Sequence, residues 1–416
     1  LLSNFARQIG INRIILALSV ARLGDAIGNS ILFIVIPLYV AKLPAPWFPL
    51  PESVRVGLLI SFYGLINASL QPIMGAVSDR LGKRKPLIQL GLIVMAFATI
   101  AFVVAARFLD LLILRAIQGV GVALTVPASL ALMATASEKQ SRGGSMGVYS
   151  TMRMAGFATG PLIGGFLLDR FGFNAAFFVG TGFIVIGILM VQIWVRETIT
   201  TPEKGVKRSF KIIDRDLLTV GLIGASAATF IMASDFSMIS ALENQFNTRL
   251  NQTAFGFGLA FSALMISRLL FQVPLGRLSD RIGRKPLILI GLLLMAPATA
   301  LLGEVVTSLQ FTGMRILQGL ASAAIAAPAF AFAADLSKAG GEGRQMSIIT
   351  MGFGLGIAIG PLMAGVLAVS SFELPFILSG VMTLVIAWLF FHFVPETLKV
   401  DLGERMGRSS APVDGD

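Results

Sequence analysis

The chain is punctuated by apolar runs of about twenty residues, each long enough to cross the roughly 30 Å of hydrocarbon in a bilayer as an α-helix. The runs fall at 14–40, 54–74, 86–106, 108–134, 145–167 and 173–195, then at 217–242, 254–275, 287–303, 309–334, 347–368 and 374–394. Backbone polar groups in lipid must be satisfied within their own segment or in a closed barrel. The alternation of barrel strands is absent, so the runs are read as helices. A water-soluble reading of the 416 residues fails on composition, since 55% are hydrophobic and 13% charged, with a mean hydropathy of +0.83. The first run is too long for a signal peptide and lacks a small-residue cleavage pattern, so it is expected to remain as a span. Without cysteine there is no disulfide, thiolate nucleophile or cysteine metal site.

A net charge of +11 raises the question of nucleic acid, but the charges are sorted by side. With alternate loops assigned to opposite faces, 23 of the 33 Lys and Arg lie on one side, 5 on the other and 5 within spans. By the positive-inside rule the richer side is cytoplasmic, which puts both termini inside, and the expected location is the plasma (inner) membrane. The basic stretch Lys204, Lys207, Arg208, Lys211 and Arg215 becomes a cytoplasmic central loop against anionic headgroups, with lipid rather than nucleic acid as its partner.

The chain also says nearly the same thing twice, about 200 residues apart. Gly75-Ala-Val-Ser-Asp79-Arg80-Leu-Gly82-Lys83-Arg84-Lys85-Pro86 returns as Gly276-Arg-Leu-Ser-Asp280-Arg281-Ile-Gly283-Arg284-Lys285-Pro286. Arg115-Ala-Ile-Gln118-Gly119 returns as Arg315-Ile-Leu-Gln318-Gly319. Gly156 with Gly160-Pro161-Leu-Ile-Gly164-Gly165 returns as Gly356 with Gly360-Pro361-Leu-Met-Ala-Gly365, and Val195-Arg-Glu-Thr198 as Val394-Pro-Glu-Thr397. An even number of spans per repeat keeps both halves in one orientation, related by an axis along the membrane normal with a cavity between them. The expected fold is an all-α polytopic membrane protein with twelve transmembrane helices in two six-helix bundles related by pseudo-two-fold symmetry. Its divisions are an N-terminal bundle at 1–196, a central loop at 197–216, a C-terminal bundle at 217–395 and a cytoplasmic tail at 396–416.

On these residues the chain resembles the major facilitator superfamily over nearly its whole length. The two Gly-x-x-x-Asp-Arg-x-Gly segments are similar to that family's signature between the second and third spans and its echo between the eighth and ninth. The resemblance implies a gating role for Gly75, Asp79, Arg80 and Gly82, and for Gly276, Asp280, Arg281 and Gly283. Physically, glycines permit a tight turn and the aspartates can pair with neighbouring arginines, a latch for one conformation; a charged loop that merely fixes topology is the plainer alternative. In the fifth span, Gly156, Gly160, Pro161, Gly164 and Gly165 resemble the pattern the family associates with drug:proton antiporters. Small residues let a facing helix approach closely and a proline bends the span, so packing alone would also select them. The implied function is secondary active transport, a proton-coupled exporter of small amphipathic molecules acting by alternating access as a monomer. A flippase or exporter for an anionic or lipid-like substrate, and a proton-coupled uptake symporter, stay open.

Ionisable groups inside spans are costly unless paired or facing water, which marks each as a functional candidate. On the first span Arg22, Asp25 and Asn29 form one polar stripe, and on the fourth Arg115 and Gln118 begin another. Asn67 and Gln71 match Arg268 and Gln272 across the repeat, and Arg153, Arg315 and Gln318 complete the expected pathway lining. Asp25 is the candidate proton carrier, because burial disfavours its charge while a nearby Arg favours it. The alternative is a static Arg22–Asp25 pair. Asp235, nearer the outer end of the seventh span and expected to be wetter, is the second candidate.

Catalysis is not expected. Gly143-Gly-Ser145-Met-Gly147 matches Gly-x-Ser-x-Gly but follows a loop rather than a strand, and the one histidine, His392, is far along the chain. No Gly-x-x-x-x-Gly-Lys-Ser/Thr loop is present, so ATP is not the energy source, and neither metal nor cofactor is expected.

Overall fold

The computed structural model describes residues 12–47, 49–81, 83–137, 142–195, 219–336 and 342–397, and among them every regular element is a helix. In the first half these are α1 (Arg13–Val40), α2 (Glu52–Leu81), α3 (Lys85–Ala101), α4 (Phe108–Ala136), α5 (Arg142–Phe171) and α6 (Phe173–Trp194). In the second half α7 (Val220–Ser237) passes through a 3-10 turn (Met238–Leu242) into α8 (Glu243–Arg249), which together make the seventh span. The remaining spans are α9 (Ala254–Ile282), α10 (Arg284–Ala300), α11 (Ser308–Asp335), α12 (Glu342–Leu367) and α13 (Leu374–Phe393). Among the described residues eleven spans are long and apolar enough to cross a membrane by composition, and α5, interrupted by Arg153 and rich in glycine, matches them in length but not in apolarity.

Starts are set by local chemistry. Asn12 caps α1 by accepting from the Ile15 amide at 2.9 Å, Thr307 accepts from the Gln310 amide ahead of α11, and Asp110 accepts from the amides of Ala106 and Arg107 at 2.9 Å. Prolines inside helices recur at matching places in the halves, Pro127 with Pro328 and Pro161 with Pro361, so the bends are repeated along with the motifs. Spans three, six, nine and twelve carry large apolar residues on their exposed faces, among them Leu90, Phe97, Ile186, Leu293 and Leu389, which is how a helix facing lipid reads.

Helix ends depart from the hydropathy boundaries. The segments of the repeated motif, expected to be turns, are helical: α2 runs on to Leu81 and α9 to Ile282, so Gly75, Arg80, Gly276, Asp280 and Arg281 lie on helix. Hydropathy marks where lipid ends, while the helix continues into water. The turn falls at Gly283, whose φ of +105° is the one place in the motif where glycine's freedom is used among the described residues. Gly82 and the side chain of Asp79 lie outside the described residues, as do the central loop with its basic stretch and the tail beyond 397.

The halves meet along two seams, α5 against α9 and α2 against α12. A Cβ on Gly165 would sit 2.5 Å from the Ala254 carbonyl oxygen, and one on Gly57 2.5 Å from that of Pro361. Among the described residues three hydrogen bonds join the halves: Ser53 to the Gly365 carbonyl at 2.8 Å, Asn244 to Glu52, and the Phe255 amide to Asp169 at 3.0 Å. All lie at the end away from the repeated motif, which is therefore the sealed end. Arg249 bonds Glu373 at 2.6 Å on the same rim and holds that exposed carboxyl below the usual range.

Candidate functional site

Buried polar side chains gather on the inward faces of the spans. Arg115 on α4 donates to Gln118 at 3.2 Å, and Gln118 donates to Thr99 on α3 at 2.9 Å. The second half repeats this, with Arg315 donating to Gln318 at 2.6 Å and Gln318 to Thr299 at 2.9 Å. Arg315 also reaches the Phe236 carbonyl at 3.2 Å. Each relay fastens its arginine inside its own half through an amide rather than a carboxylate, and the Nε of both Arg115 and Arg315 stays enclosed without a partner.

On α1, Asp25 is 3% exposed and pairs with Arg22 one turn away, while Arg153 of α5 is within electrostatic reach. Asn29 donates to the hydroxyl of Tyr63 at 2.7 Å. Four of the deep arginines face an aromatic ring: Arg22 over Tyr149 at 5.8 Å, Arg115 over Tyr63 at 5.3 Å, Arg268 over Phe353 at 5.5 Å and Arg315 over Phe261 at 5.4 Å. These contacts are worth about 0.5–2 kcal/mol, more where water is excluded. Phe33, Phe157, Phe236, Phe261 and Phe353 form a continuous aromatic cluster at centroid separations of 6.0 to 6.5 Å, which includes the rings faced by Arg315 and Arg268.

The expected lining residues do not all come together. Gln71 donates to Asn67 at 3.1 Å on half-buried α2, and Gln272 keeps an enclosed oxygen without a partner on α9. Asp235 is not wet: it is 0% exposed and faces the interior of its own half, accepting from Thr383 at 2.8 Å and from Ser379. Gly156, Gly160 and Gly164 face α1, where a Cβ on Gly156 would lie 2.6 Å from Ala26, whereas Gly165 faces α9 in the other half. Gly365 is its counterpart, with a Cβ 2.2 Å from the Ser53 carbonyl oxygen, so the wider glycine gap in the second copy leaves the cross-seam contact intact.

The motif segment of the second half is a compact network. Arg284 pairs with Asp280 and, at 3.1 Å, with Asp335, while Glu396 accepts from the amides of Arg284 at 3.1 Å and Lys285 at 2.9 Å. Arg80 and Arg281 are exposed. The equivalent Glu197 lies outside the described residues. Ser145 is in the first turns of α5 rather than on a strand-to-helix turn, and His392 contacts the Trp388 carbonyl on α13.

Sequence reasoning did not single out Tyr63, Tyr149, Thr99, Thr299, Ser379, Thr383 or Glu243. The threonines carried a usable signal, the same 200-residue offset as the Arg-x-x-Gln pairs they complete. Glu243, 0% exposed at the start of α8, falls just beyond the apolar run at 217–242.

The family model described as Major Facilitator Superfamily matches residues 18–230 and again 225–412. The multi-drug resistance efflux pump PmrA of Streptococcus pneumoniae is 26% identical over 317 residues, covering 75% of this chain and 79% of that protein. The multidrug resistance protein MdtG of Klebsiella pneumoniae is 27% identical over 295 residues, 70% of this chain and 71% of that one. Among solved structures, a bacterial homologue of the human lysosomal transporter Spinster, inward-facing and occupied, superposes with a TM-score of 0.75 at 16% identity over 91% of this chain and 95% of that chain. The nucleoside transporter NupG gives 0.74 at 12% identity over 92% and 100%. These superpositions establish the architecture alone.

Proposed function

The chain belongs to the major facilitator superfamily and is a multi-pass membrane transporter, and from that premise we propose that it is a proton-coupled exporter of small amphipathic molecules working by alternating access. By the charge distribution the motif end is cytoplasmic, so the sealed end is external and the structure is inward-facing. The observation that carries the reading is Asp25, a carboxylate enclosed in the first span and paired with Arg22 beside the seam.

Pairing with Arg22 favours the carboxylate and so favours proton release while the cytoplasmic side is open. A side-chain rearrangement that accompanies the rocking and swings Arg22 off Asp25, three residues away on the same helix, leaves an enclosed, unpaired carboxylate, whose cost is relieved by a proton from outside. Substrate and proton then move in opposite directions because each prefers a different state. Export over import is supported by the name of the relative PmrA, a multi-drug resistance efflux pump, and by the glycine-proline pattern of α5.

The test is Asp25→Asn in proteoliposomes under an imposed pH gradient. Gradient-driven accumulation of an effluxed dye is expected to fall at least tenfold while downhill counterflow persists. Undiminished gradient-driven accumulation would remove Asp25 from coupling.

A further inference from the structure

The seam between α5 and α9 brings together two cations that no carboxylate pairs with among the described residues. The two helices run antiparallel in a register fixed at the sealed end, where Gly165 packs on Ala254 and Phe255 and Gly258 on the Pro161 carbonyl. Carried about two to three turns towards the motif end, at about 3.6 residues per turn, that register sets Arg153 of one half level with Arg268 of the other. The two guanidinium groups are close enough to repel each other.

Neither arginine is hydrogen-bonded or ion-paired among the described residues. Arg268 is 8% exposed, and its enclosed Nε has no partner. The other charged groups of the inner spans are committed elsewhere. Arg22 holds Asp25, which Arg153 feels only at a distance, and Gln118 and Gln318 hold Arg115 and Arg315. Asp235 is turned to Ser379 and Thr383, and Glu243 lies at the sealed end. Two cations without a paired carboxylate in a low-dielectric seam are costly unless something answers them. A planar guanidinium is the side chain best matched to carboxylate, sulfonate or phosphate oxygens.

Apolar surface lies alongside. Phe157 is one turn from Arg153 on α5, Phe261 two turns from Arg268 on α9, and Phe353 lies under the Arg268 guanidinium. We infer that Arg153 and Arg268 together form the seat for the anionic group of an amphipathic substrate, whose apolar body lies against Phe157, Phe261 and Phe353. The inference deepens the transport reading and rests on it. It also supplies a coupling device: the seat draws one arginine from each half, so an anion bridging them is held best when the seam is together at that level, and its affinity changes as the halves move.

Two xanthene dyes of opposite charge, fluorescein and rhodamine 6G, provide the test by fluorescence anisotropy on purified protein in uncharged detergent, with no ion gradient. Fluorescein is expected to bind, with Arg153→Gln and Arg268→Gln each weakening it about tenfold or more and the lysine replacements retaining part of the affinity. Rhodamine 6G binding should be unchanged or tighter in the glutamine variants. The proposal is overturned if the wild-type protein does not bind fluorescein, if the glutamine variants bind it as the wild type does, or if both dyes weaken in parallel, lysine variants included. Because this is equilibrium binding, its failure is separable from that of proton coupling, which is read by gradient-driven accumulation in the Asp25 variant.

Discussion

Gln118 and Gln318 perform, for two enclosed arginines, a task usually given to carboxylates. Each amide oxygen accepts from the guanidinium and each amide nitrogen donates to a threonine on the neighbouring span. Gln318→Leu would strand both ends of the relay, and an unmade buried hydrogen bond costs about 1–3 kcal/mol, more for a charged group. The expected result is a drop of several degrees in the thermal unfolding midpoint in detergent. Arg315→Met combined with Gln318→Leu should recover much of that loss, since no charge then remains unsatisfied. The Arg-x-x-Gln spacing was legible because an ionised residue in an apolar run announces itself. Ser379 and Thr383 did not, because a hydroxyl in a helix can bond its own backbone and needs no distant partner. Asp235 was misjudged as wet for the same reason: its enclosure depends on Ser379 and Thr383, side chains on a helix far along the chain.

Among the elements, α5 shows most directly how small residues become mechanism. The four glycines around Pro161 divide between two neighbours, Gly156, Gly160 and Gly164 towards α1 in their own half and Gly165 towards α9 across the seam. Gly165→Leu should force α5 and α9 apart at the sealed end, because even a Cβ there lies 2.5 Å from one backbone atom and 2.7 Å from another. A cysteine at Ser262, 1% exposed on α9, is expected to react with a maleimide several-fold faster in that background than with Gly165 present. Gly147→Ala, where a Cβ meets nothing within 4 Å, is the matched control and should leave the rate unchanged. The presence and order of the spans were legible from apolar runs alone. Their ends were not, because helices such as α2 and α9 outlast the lipid and carry the motif segments with them. The seventh span likewise extends past its apolar part through the 3-10 turn at 238–242, because α8 is held by its packing rather than by composition.

For the molecule as a whole, the duplicated landmarks implied two equivalent halves, and the mirrored relays and seams repeat at the same offset. Which end is shut could not be read in the same way, since a sequence that alternates between two states must be compatible with both. The answer lies in three hydrogen bonds, Ser53 to Gly365, Asn244 to Glu52 and Phe255 to Asp169, all on one rim. Replacing Ser53 by Ala, Glu52 by Leu and Asp169 by Leu together should shift the population towards opening at that rim. Spin labels at Gly147 and Gly354, both beside open space on opposite halves, are then expected to move several ångströms closer in pulsed distance measurements. An unchanged distance distribution would mean that these bonds do not set the balance.

The paired Arg–Gln–Thr relays have a mechanical corollary. Each ties a central helix to a peripheral one through the interior, so either half behaves as a cross-tied truss. Work done at the seam by a bound ligand or an arriving proton is thus delivered to all six helices of that truss, instead of being spent in bending one of them.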